Sequence, residues 1–222
     1  LADGAEPHKF NWTLQERTAT GRVEPVDAII KIMQRQGLSP ETAKALIATH
    51  FQRTEGLCEK LLHVLAAGHT FVQSFNQEAE NENDPVAYRG HWADGFRYEG
   101  LRFLAYPPGE ITVGETSPVL TTHRHQDATW LTILNGDTID GLRLRNNSGV
   151  TCDGRPVLPG ALLVNCGTHL QHSSGNFYSA VCHWVERTEE TKTKTRVAMP
   201  FFYDRRHGPG EPGYWGSGTN GC

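Results

Sequence analysis

The amino-acid sequence predicts a mostly β protein: a double-stranded β-helix, or jelly roll, with buttressing helices at its amino end. Two observations carry this expectation. Up to about residue 67 the apolar residues recur at helical spacing, whereas beyond Arg97 they form short β-branched and aromatic runs separated by turn residues. Helices followed by a series of closely spaced antiparallel strands suggest two stacked sheets closed into a jelly roll and braced from one side.

The elements follow in order. From Pro25 to Gln36 a short helix is expected, with Ile29, Ile30, Ile32 and Met33 as its apolar side and Gly37 as its stop. Ser39, Pro40 and Glu41 then give a strong helix start: a hydroxyl cap, proline in the first turn and an acid near the positive end of the helix dipole. Leu46, Ile47, His50/Phe51, Leu57, Leu61 and Leu65 continue that helix as a packing stripe to about Ala67, and Gly68 closes it. Gln77 to Asp84 is acidic and reads as an exposed loop. The expected strands are Leu101–Tyr106, Trp130–Leu134, Gly141–Arg145, Ala161–Asn165, Tyr178–Val185 and Arg196–Tyr203. Asn135-Gly136, Asn147–Gly149, Asp153-Gly154 and Pro159-Gly160 read as the turns between them. This divides the chain into a helical region at 1–96 packing on the core, a jelly-roll domain at 97–205 and a loose Gly- and Pro-rich tail at 206–222.

Composition narrows the function. The 222 residues carry a net charge of −4, with basic residues scattered rather than striped, which argues against a nucleic-acid partner. No apolar run approaches the roughly 20 residues of a membrane span, and Leu1 to Trp12 lacks the apolar segment of a signal peptide. The five cysteines (58, 152, 166, 182 and 222) are widely separated, with no CxxC pair, and suggest neither a disulfide framework nor a zinc cluster. A monomer in the reducing cytoplasm, with a small-molecule substrate and no membrane partner, is the expectation.

The segment Thr121-Thr122-His123-Arg124-His125-Gln126-Asp127 carries the chemistry. A strand turns every second side chain to one face, so His125 and Asp127 emerge together. His183, inside the apolar run 178–185, supplies a second imidazole from another strand. Two histidines and a carboxylate on one face of an octahedron leave three positions open, the arrangement of non-haem iron(II) oxygenases.

Around these residues the stretch from Leu101 to Asp204 resembles the catalytic domain of the Fe(II)/2-oxoglutarate-dependent oxygenases, in their isopenicillin N synthase-like branch. Tyr106-Pro107-Pro108 is similar to the branch's Tyr-Pro-Pro element. Leu131–Leu134 is similar to the strand after its metal motif, and 140–143 to its Gly-Gly-Leu-Gln turn. Residues 159–167 are similar to Pro-Gly-x-x-x-Val-Asn-x-Gly, 179–185 to the strand of the distal histidine, and 196–202 to Arg-x-Ser-x-x-Phe-Phe. The resemblance implies Fe(II) on His125, Asp127 and His183, and 2-oxoglutarate gripped by Arg196 with a hydrogen bond from Tyr106. The implied activity is hydroxylation of a small molecule, with desaturation or cyclisation open, and release of succinate and CO2. The retained Asp127 fits oxygenation rather than halogenation, and a part in natural-product tailoring is the branch's usual setting.

The sequence departs from the pattern at Ala198, where the family has serine, and at Trp184, where it has arginine. Residues 186–195 suggest an extended hairpin, and the branch's amino-terminal strands are not evident. Arg187 is an alternative to Arg196. His123 is a candidate substrate contact or second-layer donor, while His169 and His172 read as loop residues. Phe103 and Phe202, with Trp92 and Phe96, are candidate pocket aromatics. Two other readings stay open: a cupin-like metalloenzyme using His123, His125 and His183 without 2-oxoglutarate, and a non-catalytic jelly-roll binding protein.

Overall fold

The computed structural model describes residues 9–18, 21–23, 27–67, 97–109, 119–156, 158, 160–174 and 176–205. The expected acidic loop at 77–84, the tail at 206–222, Trp92 and Phe96 lie outside these residues.

Among the described residues ten strands form two antiparallel sheets. The larger has the order β2 (Gly21–Val23), β1 (Phe10–Thr18), β3 (Arg97–Tyr106), β10 (Arg196–Arg205), β5 (Leu131–Gly136), β8 (Leu163–Cys166). The smaller runs β4 (Leu120–His125), β9 (Cys182–Glu186), β6 (Leu142–Arg145), β7 (Thr151–Asp153). Side chains of both meet between the sheets, where Tyr106 packs with Leu142 and Val185, flanked by Leu104, Leu134 and Leu163. This is the expected jelly roll.

Among the described residues two helices lie between β2 and β3. In α1 (Asp27–Arg35) the end is a Schellman turn: Gly37 takes φ 87°, its N–H bonds Gln34 O and that of Leu38 bonds Met33 O. Ser39 caps α2 (Pro40–Ala67) by accepting from Thr42 N at 3.1 Å. The buried face of α2 is Ala43, Ile47, Phe51, Thr54, Cys58 and Leu62, at spacings of four and three. It is rotated from the expected stripe: Leu46 is 51% exposed, and Leu57, Leu61 and Leu65 only flank the core. Cys58 and Thr54 hold central places because Thr54 returns its hydroxyl to His50 O at 2.8 Å, satisfying it locally.

That face packs on the outer side of the larger sheet, against Leu101, Leu131, Ile133, Phe201 and Tyr203. Phe51 and Phe201 meet edge to face, ring centroids 5.0 Å apart. Phe103 joins this core rather than a pocket, because it points to the helix side of β3.

Several expectations change. Residues 10–23 are strands β1 and β2, with β1 paired along β3, so the region before residue 97 contributes to the sheet as well as helices. Their mixed polar sequence lacks the apolar alternation of a half-buried strand. Asn135-Gly136 is no turn: the strand runs through it, with Asn135 opposite Met199 and Gly136 opposite Ala198. Residues 187–195 are not a hairpin but a crossover between the sheets, tightened by a 3-10 turn at Glu190–Lys192. Cys182 is disulfide-bonded, while Cys58, Cys152 and Cys166 are free thiols. Among the described residues no helix is long and apolar enough to cross a membrane.

Phe51 is fully buried at the helix–sheet contact. Phe51→Ala is therefore expected to lower unfolding free energy by about 3–5 kcal/mol, read as a shifted midpoint in a denaturant titration.

Candidate active site

The inner faces of the two sheets enclose a cavity of about 160 Å³. Strand alternation decides what lines it. On the larger sheet Arg102, Leu104 and Tyr106 of β3 face inward, as do Arg196, Ala198, Pro200 and Phe202 of β10, with Thr132 of β5 and Asn165 of β8 beyond. On the smaller sheet His183 and Val185 of β9 face them, beside Leu142 and Leu144 of β6.

Three of the sequence-predicted residues come together. The donor atoms of His125, Asp127 and His183 lie within 4.8 Å of one another. Asp127 Oδ1 stands 3.6 Å from His125 Nε2 and 3.7 Å from His183 Nε2, a little wider than the roughly 3 Å edge of an octahedron with about 2.1 Å bonds. His125 and His183 are direct partners across β4 and β9, which stacks their rings at 4.2 Å. Each Nδ1 faces a backbone carbonyl, His123 O at 2.7 Å and Val181 O at 3.2 Å. A carbonyl only accepts, so each Nδ1 carries a proton and Nε2 is the ring nitrogen that faces Asp127. Burial first, and then the neighbouring His183, holds the His125 pKa below the ordinary histidine range and keeps the ring neutral, as a metal ligand must be.

Asp127 lies just past the end of β4, not within it. Its Oδ2 accepts from Thr132 Oγ1 at 2.7 Å and Asn165 Nδ2 at 3.0 Å, leaving Oδ1 alone to face the histidines. Sequence reading missed these two donors; the signal was a polar residue breaking each apolar strand, and they are direct partners across β5 and β8. The backbone braces the same turn. Gly167 N donates to Trp130 O, Thr168 N to Asp127 O at 2.8 Å and His169 N to Thr129 O. His169 Nδ1 meets Asp204 Oδ1 at 2.7 Å, tying the start of α3 (Thr168–Ser173) to β10. The side chain of His172 is outside the described residues.

His123 does not join the cluster. Between Thr122, opposite Val185, and His125, opposite His183, β4 carries one residue more than β9. This bulge breaks the two-residue alternation, and His123 is exposed, outside the cavity lining. A centre built from His123, His125 and His183 therefore loses its support.

Arg196 is buried on the cavity floor at 3% exposure. Among the described residues its Nε has no hydrogen-bond partner, and its guanidinium lies 5.2 Å from the Tyr106 ring centroid. A buried cation without an anion is costly, so an anion entering this end of the cavity would lower that cost. Tyr106 OH accepts from Thr122 Oγ1 at 3.3 Å, and Thr122 accepts from Lys9 Nζ at 3.3 Å. Arg187 is buried elsewhere, bonded to Pro107 O and packed on Gly109, outside the lining. Trp184, alternating with His183, turns away from the cavity: its Nε1 donates to Glu186 Oε2 at 3.0 Å and Arg124 stacks 4.6 Å over its ring.

A Cβ at position 167 would stand 2.1 Å from Thr129 O and 2.7 Å from Asp127 O. Gly167→Ala is expected to destabilise the fold by about 3 kcal/mol, at the upper end of overpacking effects, measured by thermal or denaturant unfolding. An unchanged midpoint would show that this turn yields freely.

Comparison with known proteins agrees with this geometry. Residues 96–205 match the 2OG-Fe(II) oxygenase superfamily. The chain is 30% identical over 102 residues to isopenicillin N synthase of Flavobacterium sp. (strain SC 12,154), covering 46% of this chain and 29% of that protein. It is 29% identical over 121 residues to homoarginine-6-hydroxylase of Arabidopsis thaliana, covering 54% and 35%. It thus spans about a third of the length of these curated relatives. In fold it is similar to the Arabidopsis thaliana dioxygenase for auxin oxidation 1, solved with 2-oxoglutarate, at a TM-score of 0.64 and 19% identity, over 93% of this chain and 66% of that one. Through residues 96–205, with their His-Asp-His cluster, the chain belongs to the 2OG-Fe(II) oxygenase superfamily.

Proposed function

We propose that the chain is the catalytic part of an oxygenase that hydroxylates an organic small molecule, converting RH, O2 and 2-oxoglutarate to ROH, succinate and CO2. The observation that carries this is one cavity holding a His-Asp-His donor cluster and a buried guanidinium that pairs with no anion among the described residues. Family membership supports the same reading.

In this reading His125, Asp127 and His183 hold Fe(II). Asp127 would bind it through Oδ1, because Thr132 and Asn165 occupy Oδ2. Iron supplies the coupling of O2 activation to decarboxylation of the co-substrate. Arg196 pairs with the far carboxylate of 2-oxoglutarate, where a planar, permanently charged fork matches two oxygens. Tyr106 already accepts from Thr122, so its own O–H is available to donate to that carboxylate. Ala198 supplies no hydroxyl. Leu134, Leu163 and Val185 line the cavity and keep water from the charged pair. The curated relatives include feruloyl-CoA ortho-hydroxylases alongside isopenicillin N synthase, which supports a small organic substrate and a place in natural-product tailoring. Desaturation or cyclisation would use the same ligands.

The test is anaerobic addition of Fe(II) and then 2-oxoglutarate, watching for the visible metal-to-ligand charge-transfer band. The band is expected in the native chain, absent in Asp127→Ala, and shifted to at least about tenfold higher 2-oxoglutarate in Arg196→Met. No band in the native chain, with another divalent ion bound tightly, would overturn the assignment. Thr132→Val, which removes one donor to Oδ2, is expected to weaken Fe(II) binding about tenfold while leaving the melting temperature nearly unchanged; equal affinity would show that Asp127 needs no such support.

A further inference from the structure

His169 has the setting of a loop residue in the sequence, yet it closes a chain of bonds that ends at the donor cluster. The turn carrying Asp127 is held by residues 167–169. Thr168 N donates to Asp127 O at 2.8 Å, His169 N to Thr129 O at 3.2 Å and Gly167 N to Trp130 O at 3.1 Å. The two segments lie against one another without slack, because a Cβ on Gly167 would stand 2.1 Å from Thr129 O. Asp127 is therefore placed only as well as residues 167–169 are placed.

Those residues follow β8, the edge strand of the larger sheet, which is paired on one side, to β5. By contrast, β10 is paired on both sides. His169 links the two, its Nδ1 donating to Asp204 Oδ1 at 2.7 Å. Asp204 continues the inward face of β10 past Phe202, one position beyond the pairing of Tyr203 with Leu131. It is buried, and a buried carboxylate is costly unless a donor meets it. Trp130 N also donates to Tyr203 O at 3.0 Å. The end of β10 thus holds the turn twice, directly at Trp130 and through His169 at the segment that carries Asp127 and Thr129.

We propose that His169 is a positioning residue for the iron-binding carboxylate: its bond to Asp204 clamps residues 167–169 to β10, and their amides fix the turn that aims Asp127. This rests on the reading of His125, Asp127 and His183 as the iron ligands. A ligand has to be held within about 0.5 Å of its working place, and neither Thr132 nor Asn165 touches the main chain of the turn through its bond to Oδ2. They set the rotation of the carboxylate, whereas the clamp sets where its backbone stands.

The experiment measures Fe(II) affinity by anaerobic competition with a chromogenic chelator, well below the melting temperature of each variant. His169 has further contacts within the protein, so a double-mutant cycle isolates the pair. His169→Ala and Asp204→Ala are each expected to weaken Fe(II) binding about tenfold, and the double variant by no more than about twofold beyond the weaker single. His169→Asn, whose amide nitrogen stands near the place of Nδ1, is expected to recover affinity to within about threefold of the native chain. Phe51→Ala, destabilised at the helix–sheet contact, is expected to keep native affinity within about twofold. Where Asp204→Ala does not fold, His169→Ala set against His169→Asn decides the matter. Native affinity in His169→Ala, losses that multiply in the double variant, no recovery in His169→Asn, or an equal loss in Phe51→Ala would each overturn the positioning role and leave the iron ligands standing. Failure of the native chain to bind Fe(II) would sink the ligand reading and the clamp together.

Discussion

The two-residue period of β10 is the constraint on which the rest depends. This strand is paired on both edges, to β3 and β5, so its register is fixed along its length. One face, through Phe201 and Tyr203, is sealed against α2 in the main core. The other, through Arg196, Ala198, Pro200 and Phe202, is the cavity floor. A slip of one residue would exchange the two faces, putting a guanidinium in the core and an aromatic ring in the site. Stability and chemistry are thus two readings of one register, and the helices serve the site by locking the far side of the sheet that bears it.

The same logic explains why the donor cluster is not built on one strand. His125 and His183 face one another because β4 and β9 pair directly, while Asp127 arrives from a turn beyond the strand end. A turn is a poor place to hold a charged ligand unless its backbone is otherwise satisfied. Here the amides of Gly167, Thr168 and His169 take carbonyls of that turn, and the side chains of Thr132 and Asn165 take one carboxylate oxygen. The carboxylate is thereby oriented before any ligand arrives, which is what a centre with open coordination positions requires.

The sequence was informative where period and position coincide. The switch from helical spacing to short strands gave the architecture, and His125, Asp127, His183 and Arg196 all come to line one cavity. It was misleading where tertiary context overrides local pattern. Asn135-Gly136 has the composition of a turn, yet pairing with Met199 and Ala198 carries the strand through it. His123 has the right spacing from His125, but the bulge in β4 turns it outward, and nothing in the residue types announces a bulge. The strand β1 hid in polar sequence because part of it runs beside the cavity rather than the core. Asn11 is paired with Leu104, and both line the cavity. Phe103 and Phe202 were read alike as pocket aromatics; they sit on inward and outward positions of adjacent strands, and only register tells them apart.

Register also gives a physical account of the departure at Ala198. In the resembling family a serine stands there beside the arginine; in this chain a methyl group leaves that spot apolar. The hydroxyl nearest the same end of the cavity comes instead from the opposite sheet, where Thr122 of β4 bonds both Tyr106 OH and Lys9 Nζ. Thr122 lies opposite Val185, between two register irregularities of β4, and lines the cavity. On the proposed reading this linkage has two effects on a carboxylate held by Arg196. Because the Tyr106 oxygen accepts from Thr122, its own O–H is left to donate to that carboxylate, and the linkage brings an ammonium to the end of the cavity where the negative charge would rest. The loss of one neutral hydrogen bond at Ala198 is offset by a longer-range attraction, which is weaker in direction but insensitive to small shifts of the ligand. What the chain gives up in geometric definition on the larger sheet it recovers as electrostatics from the amino-terminal segment.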